Sequence, residues 1–292
     1  MNLNGRDFDP CERQVMAILN VTDDSFYAAS RNVEESAICQ RVAQAISEGA
    51  SIIDVGGYSS RPGAKDVPVD EEWRRVELGL RSIRGVSEHI PISIDTFRSE
   101  IVERAVAEVG DIIVNDISAG EADAKMVEGV ARHDLPYVAM HMRGTPQTMQ
   151  SLTEYRMGIC EEVCRYFVER AEYLRQRGVR NLIVDPGFGF AKSLEQNFEL
   201  LGGLSALSEL GYPMLVGLSR KSMIYRTLGI TPEESLAGTV ALDWEALRQG
   251  ASILRVHDVR EARQTIDLYN KLVVSLAKIR NSNLYKPLIY SS

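Results

Sequence analysis

Eight short apolar runs punctuate the chain, each followed by a turn and then by a segment of helical pattern. They read VMAILN (15–20), SIIDVGG (51–57), PISID (91–95), DIIVND (111–116), YVAMHM (137–142), NLIVD (181–185), PMLVGLS (213–219) and SILRVH (252–257). Between them lie amphipathic stretches such as ESAICQRVAQAISEGA, SEIVERAVAEVG and EESLAGTVALDWEALRQGA. Continuous apolar strands alternating with helices imply parallel pairing with both sheet faces covered. Eight such units in 292 residues predict a single closed (β/α)8 TIM barrel rather than an open doubly wound sheet. No Gly-x-Gly-x-x-Gly follows the first strand, which weakens the open-sheet alternative further. The pattern divides the chain into an N-terminal segment 1–13, a barrel 14–280 and a C-terminal tail 281–292.

The runs end on polar residues. Asn20, Asp54, Asp95, Asn115, Asp116, His141, Asp185, Ser219 and His257 all stand at or near a predicted strand's C-terminal end. Any one of them alone reads as a helix cap or turn residue. Their recurrence across eight strands points to the barrel face where active sites are built. Two connections, VTDDSFYAASRN and GYSSRPGAKDVPVD, exceed the roughly 2–6 residues usual for such loops and are candidate lids or binding loops.

Arg255 and His257 stand inside the last apolar run, two apart, so both point to one face of their strand. A buried guanidinium needs an anion opposite it. In a closed barrel the eighth strand adjoins the first, which places both residues beside Asn20, and the three together can hold a phosphate or pyrophosphate. The alternative for Arg255 is a carboxylate of the chain itself, such as Asp54; for His257 it is a cap or wall residue. Asp95, Asn115, Asp185 and Lys221 form a second candidate cluster, suited to a flat heterocycle with ring N–H, amino and carbonyl groups. A structural ion-pair network on the barrel floor accounts for the same residues equally well.

DPGFGFAKS (185–193) fails as a phosphate-binding P-loop, because Gly187 lies five before Lys192 and Ala191 fills the second glycine's place. It reads instead as a tight turn close to a ligand, with Phe188 and Phe190 available to cover an aromatic ring. In LSRKSM (218–223), Ser222 falls near a helix N-terminus, favourable for a carboxylate, and a plain N-cap explains it as well.

Composition narrows the remaining classes. Apolar residues make up 45% and charged residues 25%, the balance of an ordinary soluble globular protein. A net charge of −8 argues against a nucleic-acid binder. No window reaches the roughly 18 apolar residues of a membrane span, and the start MNLNGRDFDPCERQ has no apolar signal-peptide core. A cytoplasmic location is the expectation. Cys160 and Cys164 have no companion histidine, and with Cys11 and Cys39 they read as reduced thiols.

Taken together, NVTDDSF, GGYSSRPGA, SIDTFR, VNDISAG, HMRGTPQTMQ, DPGFGFAKSLEQN, GLSRKS and LRVHDV follow one another in the order of a known family. From about residue 14 to 270 the chain resembles the dihydropteroate synthases of folate biosynthesis. That resemblance implies a TIM barrel that condenses a hydroxymethyl-dihydropterin diphosphate with p-aminobenzoate, releasing diphosphate with the help of Mg2+. It implies that Asp95, Asn115, Asp185, Lys221 and Met140 hold the pterin. Asn20, Arg255, His257, Ser60 and Arg61 would hold the diphosphate, with Asn20 on the metal. Ser60, Arg61, Pro62, Phe190 and Ser222 would form the p-aminobenzoate pocket. Arg255, His257, Lys221, Asp95 and Asp185 would be the catalytic set, and a homodimer is implied, with the apolar helix spans near 240–275 as a possible interface.

The chain departs from the family in places. The family more often has Thr at Ser60, Pro at Asp23, Gly-Lys-Thr at Ala191-Lys192-Ser193, and often Glu at Tyr58. None of these removes a proposed functional group, although Ala191 needs a backbone conformation that glycine reaches freely. The implied chemistry suits a dissociative, SN1-like displacement: the aryl amine is neutral at pH 7 and no catalytic base stands out. The alternatives are a pterin-binding methyltransferase, which has no need of the Arg-x-His pair or the SRPGA loop, and a catalytically silent pterin binder. A phosphate-sugar aldolase would want its lysine within a strand, whereas Lys221 lies just beyond one.

Overall fold

The computed structural model describes residues 2–3, 6–21, 31–58 and 66–281. Ser60, Arg61 and Pro62, together with Asp23, lie outside the described residues, as does the tail beyond Asn281. Two short strands, β1 (Asn2–Leu3) and β2 (Arg6–Asp7), pair antiparallel at the start of the chain. Eight parallel strands follow: β3 (Gln14–Asn20), β4 (Ile52–Gly56), β5 (Ile92–Asp95), β6 (Ile113–Asp116), β7 (Tyr137–Met140), β8 (Leu182–Asp185), β9 (Leu215–Val216) and β10 (Ile253–Val256). They are ordered β8-β7-β6-β5-β4-β3-β10-β9, and a parallel bridge between Val184 and Met214 joins the two ends into a barrel. The predicted TIM barrel is therefore the observed fold.

The helices cover the outside: α1 (Arg31–Ser47), α2 (Val69–Val86), α3 (Ser99–Val109), α4 (Met126–His133), α5 (Ile159–Gln176), α6 (Leu194–Gly202), α7 (Leu204–Ser208), α8 (Ser222–Leu228), α9 (Leu236–Arg248) and α10 (Val259–Asn281). Strand alternation divides the core. Outward residues such as Val15, Ala17, Ile53, Val55, Ile92, Ile94 and Val114 pack under the helices in the larger cluster. Inward Met16, Ile52, Ile113, Val138, Ile183, Leu215 and Ile253 meet Leu3 and Phe8 in a smaller one. The first residues of the chain thus plug the barrel with apolar side chains, and every one of these nine is at most 3% exposed.

The seventh run is the one that the structure shortens most, since only Leu215 and Val216 remain extended. The chain turns away after Gly217 and reaches a left-handed conformation at Arg220 (φ 56°).

Candidate active site at the barrel mouth

One step above the apolar floor, the same strands turn polar. Asp54, Asp95, Asn115, Asp185 and Arg255 each stand two residues beyond an inward-facing residue of the lower layer (Ile52, Ser93, Ile113, Ile183 and Ile253), so alternation points them inward as well. Arg255 donates from Nε to Asp54 and from Nη2 to Asp95, both at 2.7 Å. The carboxylates opposite Arg255 are thus the chain's own, Asp54 among them, and the residue reaches the mouth already paired. Its Nη1 group has no partner among the described residues. Burial disfavours the guanidinium charge, yet Asp54 and Asp95 hold it above its ordinary value. Burial likewise raises Asp95, against the pull of Arg255. Asn115 Nδ2 faces both oxygens of Asp54 at 3.3 and 3.4 Å, so one side of the amide is tied to the trio.

The second half of the cluster is organised around the turn after β8. Asp185 accepts from the Gly187 N–H at 2.8 Å; burial raises its carboxyl, and Lys221 pulls it back. Lys221 Nζ donates to the Phe188 carbonyl and lies 5.1 Å from the Phe190 ring centroid. Burial lowers its ammonium to about 8, with Asp185 opposing. Asp95, Asn115, Asp185 and Lys221 therefore converge as expected, although they do so through Arg255 and Asp54, a residue expected at the mouth and as an alternative partner of Arg255 but not as a member of either cluster. Its signal was present: a carboxylate inside the apolar SIIDVGG run.

Phe188 and Phe190 part company. Phe188 is completely buried in the core, so only the partly exposed Phe190 is available to a ligand. Gly187 (φ 70°) has to be glycine, since a Cβ there would come within 2.1 Å of the His141 carbonyl. Ala191 occupies the left-handed region (φ 50°), the strained position anticipated from the missing glycine. What holds this turn is Lys192, whose Nζ meets the carbonyls of Gly187 (2.8 Å) and Phe190 (2.9 Å) and His141 Nδ1 (3.1 Å). Burial pulls Lys192 well below the usual lysine range, and burial with the Lys192 charge takes His141 down to about 2. The following Ser193 and Gln196 close a capping box on α6. His141 and Lys192 are thus structural.

Asp116 is structural too. It accepts from Ser118 N–H, Ser118 Oγ, Gly120 N–H and Tyr137 Oη at 2.7–2.8 Å, satisfying its buried charge. His257 Nδ1 lies 3.0 Å from Ser219 Oγ, and its carbonyl accepts from Arg41. Asn20 is exposed at the top of β3; a Cβ on its partner Gly56 would sit 3.6 Å from both Asn20 Oδ1 and Asp95 Cβ, so the glycine leaves the space between them open. Met140 is buried at the end of β7. Ser222 is the first residue of α8, whose N-cap is Lys221, so the plain N-cap alternative for Ser222 does not hold. The four cysteines are free.

A cavity of about 560 Å³ opens on the β4–β7 side of the mouth. Tyr58, Phe97, Ile117 and Met142 line it, each two residues beyond Gly56, Asp95, Asn115 and Met140. Among the described residues, no group of three or more His, Cys, Asp or Glu could hold a metal ion. No helix among them is long and apolar enough to cross a membrane.

The family model described as "Pterin binding enzyme" matches residues 16–257. The chain belongs to this pterin-binding family. Dihydropteroate synthase of Escherichia coli K12 is 43% identical over 260 residues, covering 88% of this chain and 90% of that protein. Among solved structures, the Xanthomonas albilineans dihydropteroate synthase with 4-aminobenzoic acid superposes with a TM-score of 0.83 at 37% identity, covering 92% of this chain and 96% of the other. The same enzyme in complex with 7,8-dihydropteroate gives 0.79 at 34% identity, covering 91% and 95%. As a pterin-binding enzyme, the chain places its polar layer within the matched span, from β3 to His257.

Proposed function

We propose that the chain condenses 6-hydroxymethyl-7,8-dihydropterin diphosphate with p-aminobenzoate to give 7,8-dihydropteroate and diphosphate. The observation that carries this reading is the convergence of Asp95, Asn115, Asp185 and Lys221 above an apolar barrel floor. A flat heterocycle with adjacent donors and acceptors satisfies such a set, which an apolar or simple sugar ligand would leave unpaired. Met140 would form part of the pterin wall. Phe190, beneath Lys221, would face the aryl ring, with Ser222 toward its carboxylate.

In this reading the diphosphate lies between Arg255, His257 and Asn20, with Ser60 and Arg61 contributing to that site and to the p-aminobenzoate pocket alongside Pro62. Arg255 keeps Nη1 for the leaving group while Asp54 and Asp95 fix its other side. Asn20 fits Mg2+: it is an exposed residue whose side-chain oxygen lies beside an open glycine, and Mg2+ is commonly held by one or two protein oxygens, substrate phosphates and water. When bound, the ion would neutralise charge on the diphosphate.

The C–O bond to diphosphate breaks, the amine lone pair forms the new C–N bond, and the amine proton leaves to solvent or diphosphate. Three carboxylates (Asp54, Asp95, Asp185) face two cations (Arg255, Lys221) in the layer, an arrangement that favours positive charge on the pterin as diphosphate departs. This supports a dissociative, SN1-like displacement, in which no strong base is required. The enzyme acts as a cytoplasmic homodimer in this reading, and the exposed Leu268, Leu272, Val273, Val274 and Leu276 of α10 give the dimer an apolar surface.

The test is diphosphate release from the pterin diphosphate with Mg2+, with and without p-aminobenzoate, in wild type and Arg255→Ala. Turnover that needs p-aminobenzoate and collapses in the variant is expected. Pterin binding without any release would overturn the synthase reading in favour of a methyltransferase or a silent binder.

A further inference from the structure

The turn between β9 and α8 carries Lys221, and the residues that fix its path have no role in the chemistry above. Arg220 adopts φ 56°, a left-handed conformation that a non-glycine residue seldom enters. Such a conformation persists only where the surroundings over-determine it. Here they do so at three points. The Arg220 N–H donates to Thr239 Oγ1 on α9 at 3.1 Å. Its guanidinium forks onto Asp258, with Nε to Oδ2 at 3.0 Å and Nη2 to Oδ1 at 2.6 Å.

These contacts form part of a longer seam. One residue earlier, Ser219 Oγ meets His257 Nδ1 at 3.0 Å and accepts from the His257 N–H at 3.2 Å. Ser219 with His257 and Arg220 with Asp258 thus run side by side, stitching the turn after β9 to the turn after β10. One residue later, the Lys221 N–H closes on the Leu218 carbonyl at 3.1 Å while its side chain leaves toward Phe188. The backbone sign at Arg220 decides in which direction Lys221 departs, since a right-handed residue there would redirect the chain before α8 begins. The Asp258 side chain is only 14% exposed and that of Arg220 34%, so this bidentate pair is better shielded from water and salt than the surface pairs of the molecule.

We infer that Arg220, Thr239 and Asp258 are positioning residues that lock this turn, delivering Lys221 over the barrel mouth and holding His257 beside it. Their part in catalysis rests on the synthase reading; their part in locking the backbone does not. Thr239 contributes an acceptor to a strained amide, Asp258 a fork to the side chain, and neither need touch substrate.

The test uses Thr239→Val, which keeps shape and removes the acceptor, Thr239→Ser, which keeps it, and Asp258→Asn. Two readouts are taken on the full-length protein: amide hydrogen exchange across residues 219–223, and kcat and KM for each substrate. Thr239→Val and Asp258→Asn should lose protection in this segment while Tm stays within about 2 °C of wild type. Their kcat should fall by roughly 10- to 100-fold, the scale expected from misplacing a reacting-site group by about 1 Å. Thr239→Ser should restore both readouts. Arg220→Lys, which keeps the charge and loses the fork, replaces Asp258→Asn if that variant does not fold. Unchanged protection, or lost protection with kcat intact, would overturn the inference. A wild type that turns over no pterin diphosphate would sink the synthase reading instead, and the exchange data would then decide the lock alone.

Discussion

The barrel interior holds two layers built by the same strands, two residues apart. The lower one is Met16, Ile52, Ile113, Val138, Ile183, Leu215 and Ile253, closed from below by Leu3 and Phe8. The upper one is Asp54, Asp95, Asn115, Asp185 and Arg255, with Lys221 reaching in from a turn. The first is sealed from water and stabilised by burial; the second, where Arg255 and Asp95 stay half-buried, is stabilised by pairing. Side-chain alternation makes the adjacency possible, because a strand can change from Ile113 to Asn115 on the same face without altering its outer packing. The floor supplies stability without specificity; the layer above spends stability to hold fixed charges where a ligand can meet them.

Removing Arg255 should produce the largest effect, since it strikes the pairing itself. Arg255→Met leaves the buried Asp54 and the half-buried Asp95 facing each other without this cation, a change that costs about 3–5 kcal/mol. A clear loss in Tm, together with loss of turnover, is expected from calorimetry and the diphosphate assay. The loss should shrink at acid pH, because burial raises the Asp95 carboxyl and its charge is lost there. A variant as stable as wild type at pH 7 would mean that the upper layer does not depend on charge pairing.

A matched pair on β6 sharpens the contrast. Ile113→Ala in the floor should cost about 2–4 kcal/mol through the cavity it leaves, with kcat/KM for both substrates little changed. Asn115→Ala, one step higher, should leave stability within about 1–2 kcal/mol of wild type and weaken pterin binding at least tenfold. Chemical denaturation and pterin titration separate the two. If both variants lost stability and binding together, the layers would be a single unit.

How much of this was legible depended on how local the cause is. The barrel and the polar strand ends were readable because both follow from short periodic patterns, such as ILRV on β10. Of the two partners of Arg255, Asp54 was readable as an alternative and Asp95 was not, because they lie 201 and 160 residues away and their reach depends on how the strands are staggered around the closed barrel. Lys192 went unassigned for a different reason: it answers to carbonyls of Gly187 and Phe190, and backbone acceptors leave no mark in a sequence. Phe188 and Phe190 looked equivalent until the left-handed glycines of the turn sent one into the core.

Lys221 offers a gentler probe of the upper layer. Burial lowers its ammonium from the ordinary lysine value to about 8, so the cation facing Asp185 and Phe190 is lost as pH rises through that point. The kcat/KM for the pterin substrate should therefore fall on the alkaline side with a midpoint near 8. Lys221→Arg stays charged there, so whatever activity it retains should lack this limb. A limb that persisted in the variant would assign the titration to another group.

The smallest effect should come from a buried carboxyl that the barrel mouth does not use, and it tests whether pairing is what the upper layer needs. Asp243 on α9 is 1% exposed, and its Oδ1 has no hydrogen-bond partner among the described residues. Burial, with the negative charge of Asp258, raises it to about 8. A carboxyl raised in the folded state binds its proton more tightly there than in the unfolded chain. Its contribution is fully present below the ordinary value of 3.8 and is lost as pH climbs to about 8. Asp243→Asn is neutral throughout, so its stability relative to wild type should rise by at least about 1–2 kcal/mol between pH 4 and pH 8, while the amide's own unmet hydrogen bonds lower it equally at both. Urea midpoints at the two pH values measure the difference. A gain that grows with pH would set Asp243, buried with no cation partner among the described residues, against Asp54 and Asp95, each paired with Arg255, where the same substitution removes an ion pair and should destabilise instead.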